Sequence, residues 1–438
     1  MNPKESQYED STEMNRKSIG REAATVNRSR RHKVLGWLLA ATLGLLGTGR
    51  ALAQKQDVVL WTLGPIYQAV FNEIKPLFDE AYPHVNLVVE GGMGAVDRLV
   101  TAYAGGAAPD IVTQSTRNAP QFIEAGMFHP VDYRLFGASD IHSFARRFFP
   151  GVVNSLAYKG EIYFLPTEVS SGGLFYNKDI LDRAGVAEIP PTWQELSTLG
   201  SKLTRMESDT YTQVGVALQR SAVWTTLYWV TLLRQNGVDW VTQDGGPNFT
   251  HPRAVDAVRA YHDFFLSGAS HPSQAAPAFR EGRAAFLPDA TYQSFFLVSN
   301  PPSWTPGASA YPVLAGGTPN IFSYAWGFYV TRQAKDPSLA WEVVRFLTSP
   351  ELAPVWARVG GLIIPYQDAW LLELMEEQPT LRPFITGLEH AQMELVHPRG
   401  NQIHAAMWEA DNAVVQGRLS VEAALQQLND AVAAILAE

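Results

Sequence analysis

An alternation of short apolar runs with amphipathic segments limits the possible folds more than any other feature of this sequence. Apolar runs occupy residues 57–61, 85–89 and 109–112. Between them, residues 66–81 and 96–104 carry apolar side chains at helical spacing. Strands that alternate with helices at such short intervals are typical of a parallel sheet with helices on its faces, so the sequence predicts an α/β fold.

Helical patterns dominate the second half of the chain. A capping box, Thr192 followed three residues later by Glu195, starts the first of them. A strand at residues 172–177 precedes it and is expected to cross between two lobes. Two lobes are expected because 438 residues exceed what one hydrophobic core usually supports. The predicted helices cover residues 192–203, 224–235, 251–267, 338–349 and 419–436.

The first 53 residues differ from the rest and predict a cleavable export signal. A basic stretch that ends at Lys33 is followed by an apolar run at residues 34–46, and the small residues Ala51-Leu52-Ala53 follow. The apolar run is too short to span a bilayer. We therefore expect cleavage after Ala53 and a location in the periplasm. A membrane anchor that is never cleaved is the alternative.

Charge and cysteine content exclude several classes of function. Without the 9 basic and 5 acidic residues of positions 1–53, the chain keeps 25 Lys/Arg and 38 Asp/Glu, a formal charge of −13. Nucleic-acid phosphates attract the opposite sign, so no nucleic-acid partner is expected. There are no cysteines, which rules out thiolate metal sites and a lipid-anchored lipoprotein start. No cofactor and no metal ion are expected.

Eight short segments in a fixed order resemble the extracellular sugar-binding proteins of ABC importers, the family that includes maltose- and trehalose-binding proteins. The resemblance covers nearly all of the chain after residue 53. Each segment is weak alone, and it is their common order that makes the resemblance specific. The segments are VVLW (58–61), GGAAPDI (105–111), GEIYFLPTE (160–168), LFYNKD (174–179), PPTWQEL (190–196), FREGRAAF (279–286), AWEVVRFLTSP (340–350) and GGLIIP (360–365).

The resemblance implies a type II periplasmic-binding-protein fold, in which two α/β lobes joined by a hinge enclose a ligand cleft. Lobe I is expected to comprise residues 54–167 and about 322–372, and lobe II residues 168–321 and about 373–438. The implied function is an extracytoplasmic receptor that captures a carbohydrate by hinge closure. It would deliver the sugar to the permease subunits of an ABC transporter, which has a separate ATPase. The receptor is expected to be a monomer and not an enzyme.

Recognition of a sugar requires aromatic rings for the C–H faces of the pyranose and polar side chains for its hydroxyls. By the resemblance, Glu168 provides a carboxylate that points into the cleft and Trp326 an aromatic platform at the cleft floor. Tyr292 falls at the position of a further stacking ring, and Asp289 shares its loop. A structural hinge carboxylate is the alternative for Glu168, and core packing is the alternative for the two aromatic residues.

Further candidates come from helix position and from the loops after the strands. Trp224 lies nearer the start of its helix than Trp229, so Trp224 is expected at the ligand and Trp229 in the core. Trp193 and Trp341 occupy apolar helical positions typical of core residues. In open α/β sheets, ligands bind beyond the carboxyl ends of the strands. The candidates in such loops are Thr62, Glu90, Ser115 and Arg117.

Two other functions remain open at the level of sequence. The same fold could bind glycerol phosphate or another charged solute, with Arg117 and Arg220 pairing with a negative charge. A solvated loop arginine is the alternative for Arg117. A secreted glycosidase could also place carboxylates beside aromatic rings. The sequence contains no catalytic motif such as G-x-S-x-G or H-E-x-x-H, which favours the receptor.

Overall fold

The computed structural model describes residues 55–92, 96–148, 156–366 and 370–437. The predicted export signal and its cleavage site, residues 1–53, lie outside this part of the chain. Among the residues described, no helix is both long enough and apolar enough to cross a membrane.

The described residues fall into two compact units. Of the described residues, the smaller unit contains 55–56 and 79–85, and a turn within it is closed by a bond from Val85 N to Tyr82 O (3.0 Å). The larger unit contains residues 57–78 and everything described from Asn86 onward. All candidate ligand-binding residues belong to this larger unit.

Helices make up most of the regular structure. The α-helices are α1 Pro65–Ala81, α2 Val96–Ala104, α3 Ala119–Glu124, α4 Ile141–Ala145, α5 Lys178–Arg183, α6 Trp193–Leu203, α7 Ala222–Gln235, α8 Pro252–Leu266, α9 Ala276–Arg280, α10 Gln293–Ser299, α11 Pro337–Leu347, α12 Ala353–Gly360, α13 Trp370–Glu377, α14 Arg382–Gly387, α15 Gly400–Val415 and α16 Val421–Ala437.

Most of the strands join one large mixed sheet, in the order β2-β1-β3-β11-β6-β9-β8-β7, with β10 added to β6 and β12 added to β11. A separate pair, β4 and β5, forms a small two-stranded sheet. The strands are β1 Gln56–Trp61, β2 Val85–Glu90, β3 Ile111–Ser115, β4 Ala157–Tyr158, β5 Glu161–Ile162, β6 Phe164–Asn177, β7 Arg205–Glu207, β8 Thr210–Val216, β9 Ala284–Ala290, β10 Pro306–Ser309, β11 Ile321–Val330 and β12 Ala391–Met393.

Two long antiparallel strands occupy the centre of the sheet. β1 and β3 pair in parallel, and so do β8 and β9, as the alternation of strands and helices predicts. β11 runs antiparallel to both β3 and β6, and β6 runs antiparallel to β9. The prediction of a parallel sheet is therefore correct for these two parallel pairs and wrong for the centre. At 14 and 10 residues, β6 and β11 are longer than typical strands of about 5–6 residues.

Several local predictions agree with the observed elements. The hydroxyl of Thr192 caps α6 by accepting a hydrogen bond from Glu195 N (3.2 Å), and it donates one to Glu195 Oε2 (2.8 Å). The tryptophans predicted in the core are buried, with 2% of Trp193, 0% of Trp229 and 3% of Trp341 exposed. These helices are stabilised mainly by the apolar faces that they bury.

A β-bulge interrupts the pairing of β6 with β11. Trp326 pairs with Glu168, whereas the next residue, Gly327, pairs with Pro166, so Thr167 has no partner in the register. A bulge of this kind bends the strand and re-aims the side chains beside it. In this protein the re-aimed side chains include two of the candidate site residues, Glu168 and Trp326.

The bulge is held by specific contacts on both strands. The hydroxyl of Thr167 lies 2.6 Å from Tyr67 Oη on α1 and donates to the carbonyl of Trp326 (3.2 Å). At Gly327, a Cβ atom would lie 2.3 Å from the carbonyl oxygen of Leu165. A side chain at position 327 is therefore incompatible with this close approach of the two backbones.

Candidate functional site

Three of the predicted site residues form one row across the central strands. Trp326 on β11 pairs with Ser115 on β3 and, on its other side, with Glu168 on β6. Directly opposed residues of antiparallel strands place their side chains on the same face of the sheet, with Cβ atoms about 5 Å apart. The fold thus brings together a hydroxyl, an indole ring and a carboxyl group that are far apart in the sequence.

Glu168 is a buried carboxyl group without an ionic partner. Only 5% of the residue is exposed, and its side chain has no hydrogen bond or ion pair with another described residue. Burial raises its pKa from 4.5 to about 8. Its charge also contributes to raising the pKa values of the Tyr67 and Tyr324 phenols, after the larger effect of their own burial. Glu168 therefore accepts no hydrogen bond from a described residue, and its carboxyl oxygens keep some access to solvent, from which water or a ligand could supply donors.

Trp326 presents an unpaired aromatic ring beside this carboxyl group. The residue is half-buried and packs against the large core cluster, but no other described aromatic ring lies against it. Ser115, on its other side, is fully buried and its hydroxyl accepts a bond from Asn118 N (3.4 Å). A partly exposed indole without a ring partner can stack on a flat apolar surface of a ligand.

A second buried polar group lies two residues beyond Glu168. Ser170 is 1% exposed, and its hydroxyl lies beside the Tyr324 phenol, whose pKa it lowers as a hydrogen-bond partner, although the geometry of that contact is poor. It pairs across the strands with Tyr324, and alternate residues of a strand share one face. Sequence reasoning missed Ser170. The alternation of side chains along the strand from Glu168 could have indicated it.

A hydrogen-bonded triad forms a second part of the candidate site. Gln219, in the loop between β8 and α7, donates from Nε2 to Asp289 Oδ2 and to Tyr292 Oη, each at 2.9 Å. The other carboxyl oxygen of Asp289 accepts from Ala290 N (2.7 Å). Burial raises the pKa of Asp289 to about 7, against the lowering effect of these hydrogen bonds. The sequence predicted Asp289 and Tyr292 but not Gln219, whose role depends on a contact across 70 residues.

Tyr324 connects the two parts of the site. The charges of both Glu168 and Asp289 contribute to the raised pKa of its phenol, whose largest cause is burial. The phenol of Tyr292 is in turn affected by Asp289 and by Tyr324. The carboxyl groups of Glu168 and Asp289 thus lie in one region next to β6 and β11. The rings of Trp326, Tyr292 and Tyr324 and the amide of Gln219 belong to the same region.

Trp224 lies at the edge of this region, in the first turn of α7. The hydroxyl of Ser221 caps the helix by accepting a bond from Trp224 N (3.3 Å). The indole is half-buried, with its centre 5.7 Å from the ring of Tyr228 and 5.8 Å from that of Phe322. Phe322 stacks on Tyr324 at 6.4 Å. Trp224 is therefore linked to the site through two aromatic contacts.

The two candidate arginines are each paired with a buried carboxylate. Arg117 donates from Nε to Glu394 Oε2 (3.1 Å) and forms an ion pair with it, with 2.6 Å between Nη2 and Oε1. Its guanidinium lies 5.8 Å from the centre of the Tyr324 ring. Arg220 donates to Asp411 and, at 3.0 Å, to Asn412. Both side chains are 11% exposed. These cations are neutralised inside the protein, which leaves them poorly suited to a negatively charged ligand.

Thr62 and Glu90 lie at the ends of β1 and β2. Thr62 is 1% exposed, and its backbone N–H donates to the carbonyl of Glu90 (2.8 Å). Its hydroxyl donates to Leu63 O (3.2 Å), while Glu90 is exposed. No side-chain hydrogen bond, ion pair or ring contact among the described residues joins either of them to the row of Ser115, Trp326 and Glu168.

No candidate residue lines a small cavity of about 20 Å³ beside α3. It is bounded by side chains such as Ile123, Leu156, Phe164 and Tyr329. Within the described ranges, no group of three or more His, Asp or Glu side chains is placed to hold a metal ion.

Comparisons with known proteins agree with this architecture. The family model for bacterial extracellular solute-binding proteins matches residues 61–354. A putative binding protein of Brucella abortus is 22% identical over 375 residues, which cover 84% of this chain and 89% of that protein. The mannitol-binding protein of Pseudomonas aeruginosa is 24% identical over 398 residues, 80% of this chain and 86% of that protein.

Solved structures show the same fold. An ABC transporter solute-binding protein from Thermotoga lettingae, bound with α-D-tagatose, has a TM-score of 0.77 and 21% identity, and it covers 87% of this chain and 100% of its own. The maltose-bound MalE3 protein of T. maritima has a TM-score of 0.73 and 18% identity, with 85% and 98% covered. These similarities confirm the predicted type II periplasmic-binding-protein fold.

Proposed function

Because the chain belongs to the family of bacterial extracellular solute-binding proteins, we propose that it is the carbohydrate receptor of an ABC importer. Members of this family are binding proteins and act outside the cytoplasm. The proposal therefore concerns the ligand and the residues that hold it.

The row of Ser115, Trp326 and Glu168 is the observation that carries the proposal. It places an unpaired, half-buried indole next to a buried carboxyl group that lacks hydrogen-bond donors. A sugar meets both needs at once, since its C–H face stacks on the ring and its hydroxyls donate to the carboxylate. Ser170 adds a further buried hydroxyl on the same face.

The second part of the site gives the ligand a second set of polar partners. Asp289, Gln219 and Tyr292 are already hydrogen-bonded to one another, so their positions are fixed before a ligand enters. Preorganisation of this kind reduces the entropy lost on binding. We assign them hydrogen bonds to hydroxyls at the other end of the sugar, with Trp224 as a peripheral ring.

A neutral ligand fits this site better than an anion. Glu168 and Asp289 are two buried carboxyl groups, while Arg117 and Arg220 already pair with Glu394 and Asp411. A phosphate or carboxylate ligand would find no unpaired cation in Arg117 or Arg220 to balance its charge in this buried site. Two relatives are a mannitol-binding protein and an arabinooligosaccharide-binding protein, and we infer a polyol or a saccharide for this chain.

The remaining features of the receptor are also proposals. We infer export by residues 1–53, cleavage after Ala53, a periplasmic location, a monomer, and delivery to permease subunits that work with a separate ATPase. Lobe I would comprise residues 54–167 and about 322–372, and lobe II residues 168–321 and about 373–438. The boundary between residues 167 and 168 lies inside β6, and the boundary near residue 322 lies at the start of β11. These are the strands at the centre of the sheet.

A thermal-shift screen of the purified protein tests the ligand class. Hexoses, disaccharides, short oligosaccharides and mannitol are compared with glycerol phosphate and spermidine. A ligand at a hundred times its Kd stabilises the folded state by about 2.7 kcal/mol, which raises the melting temperature measurably. We expect a shift with a neutral saccharide or polyol. A shift with glycerol phosphate or spermidine alone would refute the proposal.

Substitution of Glu168 then tests the site with the sugar found in the screen. Glu168→Ala removes the hydrogen bond between the sugar and this carboxyl group and should weaken binding by about 1.5–3 kcal/mol, about 10- to 150-fold in Kd by calorimetry. The matched control is Glu207→Ala, because Glu207 is an exposed glutamate on β7. If both variants bind as tightly as the parent protein, Glu168 does not contact the ligand.

A further inference from the structure

The loop between β8 and α7 contacts the candidate site with one residue and a distant polar cluster with the next. Gln219 bridges Asp289 and Tyr292 with two bonds of 2.9 Å. Arg220 contacts neither of these residues. Its guanidinium instead reaches α8 and α15.

Arg220 is held on several sides. Its guanidinium carbon lies 4.8 Å from the centre of the Trp408 ring and 5.7 Å from that of Phe265. Nη2 donates to Asp411, whose side chain is fully buried, and to Asn412 at 3.0 Å. A planar guanidinium suits this combination of ring contacts and carboxylate bonds, whereas an ammonium group does not.

We propose that Arg220 is a positioning residue for the ligand site. By docking against Asp411 and Asn412 between Trp408 and Phe265, it holds the β8–α7 loop where the amide of Gln219 bridges Asp289 and Tyr292. The significance of this link rests on the proposed function, because Gln219, Asp289 and Tyr292 are the groups assigned to the sugar. The link itself is a property of the ligand-free protein.

The pKa of Asp289 reports on the link without any ligand. The bond from Gln219 lowers this pKa, and the other groups that act on it are the Ala290 N–H, the Tyr292 hydroxyl and the Arg280 guanidinium. The charge of Asp289 also contributes to raising the pKa of three phenols, those of Tyr228, Tyr311 and Tyr324. If the Gln219 bond is lost, the pKa should rise by about 0.5–1 unit.

The experiment is a ¹³C NMR titration of the Asp289 carboxyl group in the full chain, with the resonance assigned by Asp289→Asn. We expect Gln219→Ala and Arg220→Met each to raise the pKa by a similar amount. Arg220→Lys, which keeps the charge but not the planar group, should raise it too and serves if Arg220→Met does not fold. The matched control is Arg234→Met, since Arg234 is a similarly buried arginine of α7 that pairs with Asp239.

The double variant Gln219→Ala/Arg220→Met separates positioning from a direct effect of charge. If Arg220 acts through Gln219, its loss adds nothing once Gln219 is absent. Additive shifts in the double variant, an unchanged pKa in the Arg220 variants, or an equal shift in Arg234→Met would each overturn the inference. Because no sugar is present, a negative sugar screen would refute the proposed function and leave this result readable.

Discussion

At the scale of single residues, the most informative feature is a carboxyl group that the fold buries without a partner. Taking Glu168 out of water without donors destabilises the folded, ligand-free protein, as its raised pKa indicates. Under the proposed function, the ligand would supply the missing donors and offset this cost.

The pH dependence of stability should show this cost directly. The pKa of Glu168 is about 8 in the folded protein, against an ordinary value of 4.5. The folded state therefore keeps a proton that the unfolded state releases, and stability falls as pH rises from about 4.5 to about 8. A shift of this size corresponds to a few kcal/mol. We expect Glu168→Gln to flatten the decline in melting temperature between pH 5 and pH 8.

The control for this prediction is Glu207→Gln, which changes an exposed glutamate on a strand and should keep the full decline. Asp289, with a pKa of about 7, contributes a decline of the same sign, so Glu168→Gln is not expected to remove the dependence entirely. Identical pH profiles for the parent protein and Glu168→Gln would mean that the carboxyl group is ionised and stabilised in the folded state.

Sequence reasoning predicted candidate site residues but not the partners of their side chains. Glu168 and Trp326 follow recognisable segments, and the fold places them side by side. The pairing of Arg117 with Glu394 joins residues 277 positions apart, and that of Arg220 with Asp411 joins residues 191 apart. Nothing local in the sequence marks these partners, because each pair is created by packing between distant elements.

At the scale of elements, helices were easier to predict than the pairing of strands. The apolar period and caps of a helix are local, so α2 and α6 begin and end close to their predicted positions. The length of β6 and the antiparallel direction of β11 depend on neighbours far away in the chain. The bulge between these strands is also a product of pairing, although it decides where Glu168 and Trp326 point.

Substitution of Gly327 tests the importance of the bulge. A Cβ atom at this position would approach Leu165 O to 2.3 Å, so Gly327→Ala must shift one of the two strands. We expect it to destabilise the protein by about 1–3 kcal/mol, measured by urea denaturation. Sugar binding should weaken as well, because the row of site residues is displaced.

The matched control for Gly327→Ala is Gly64→Ala. Gly64 has no atom within 4 Å of an added Cβ, so stability and binding should stay close to those of the parent protein. If Gly327→Ala is as stable as this control, the close approach of the strands does not constrain the residue.

At the scale of the whole molecule, the fold could be predicted because its evidence is spread along the chain. Eight weak segments in order implied the family and the fold, and the family model matches residues 61–354. The boundaries of the two lobes cannot be predicted in the same way, because they depend on which elements move together. The proposed boundaries therefore need a measurement of motion.

The change in distance between the lobes on hinge closure can be measured with labelled cysteines. Because the chain contains no cysteine, introduced ones can be labelled selectively. We would label Glu73→Cys on α1 and Lys202→Cys on α6, two exposed positions assigned to different lobes. The control pair is Glu73→Cys and Arg345→Cys, which are assigned to the same lobe. Closure around a buried sugar shortens distances between lobes and leaves distances within a lobe unchanged.

We therefore expect the sugar identified by the thermal screen to increase energy transfer for the first pair only, with a midpoint equal to the calorimetric Kd. A change in both pairs would mean that the lobe boundaries are misplaced, because α1 and α11 would then move relative to each other. No change in either pair, at a sugar concentration that saturates binding, would mean that the ligand is held without hinge closure and that β6 and β11 do not act as a hinge.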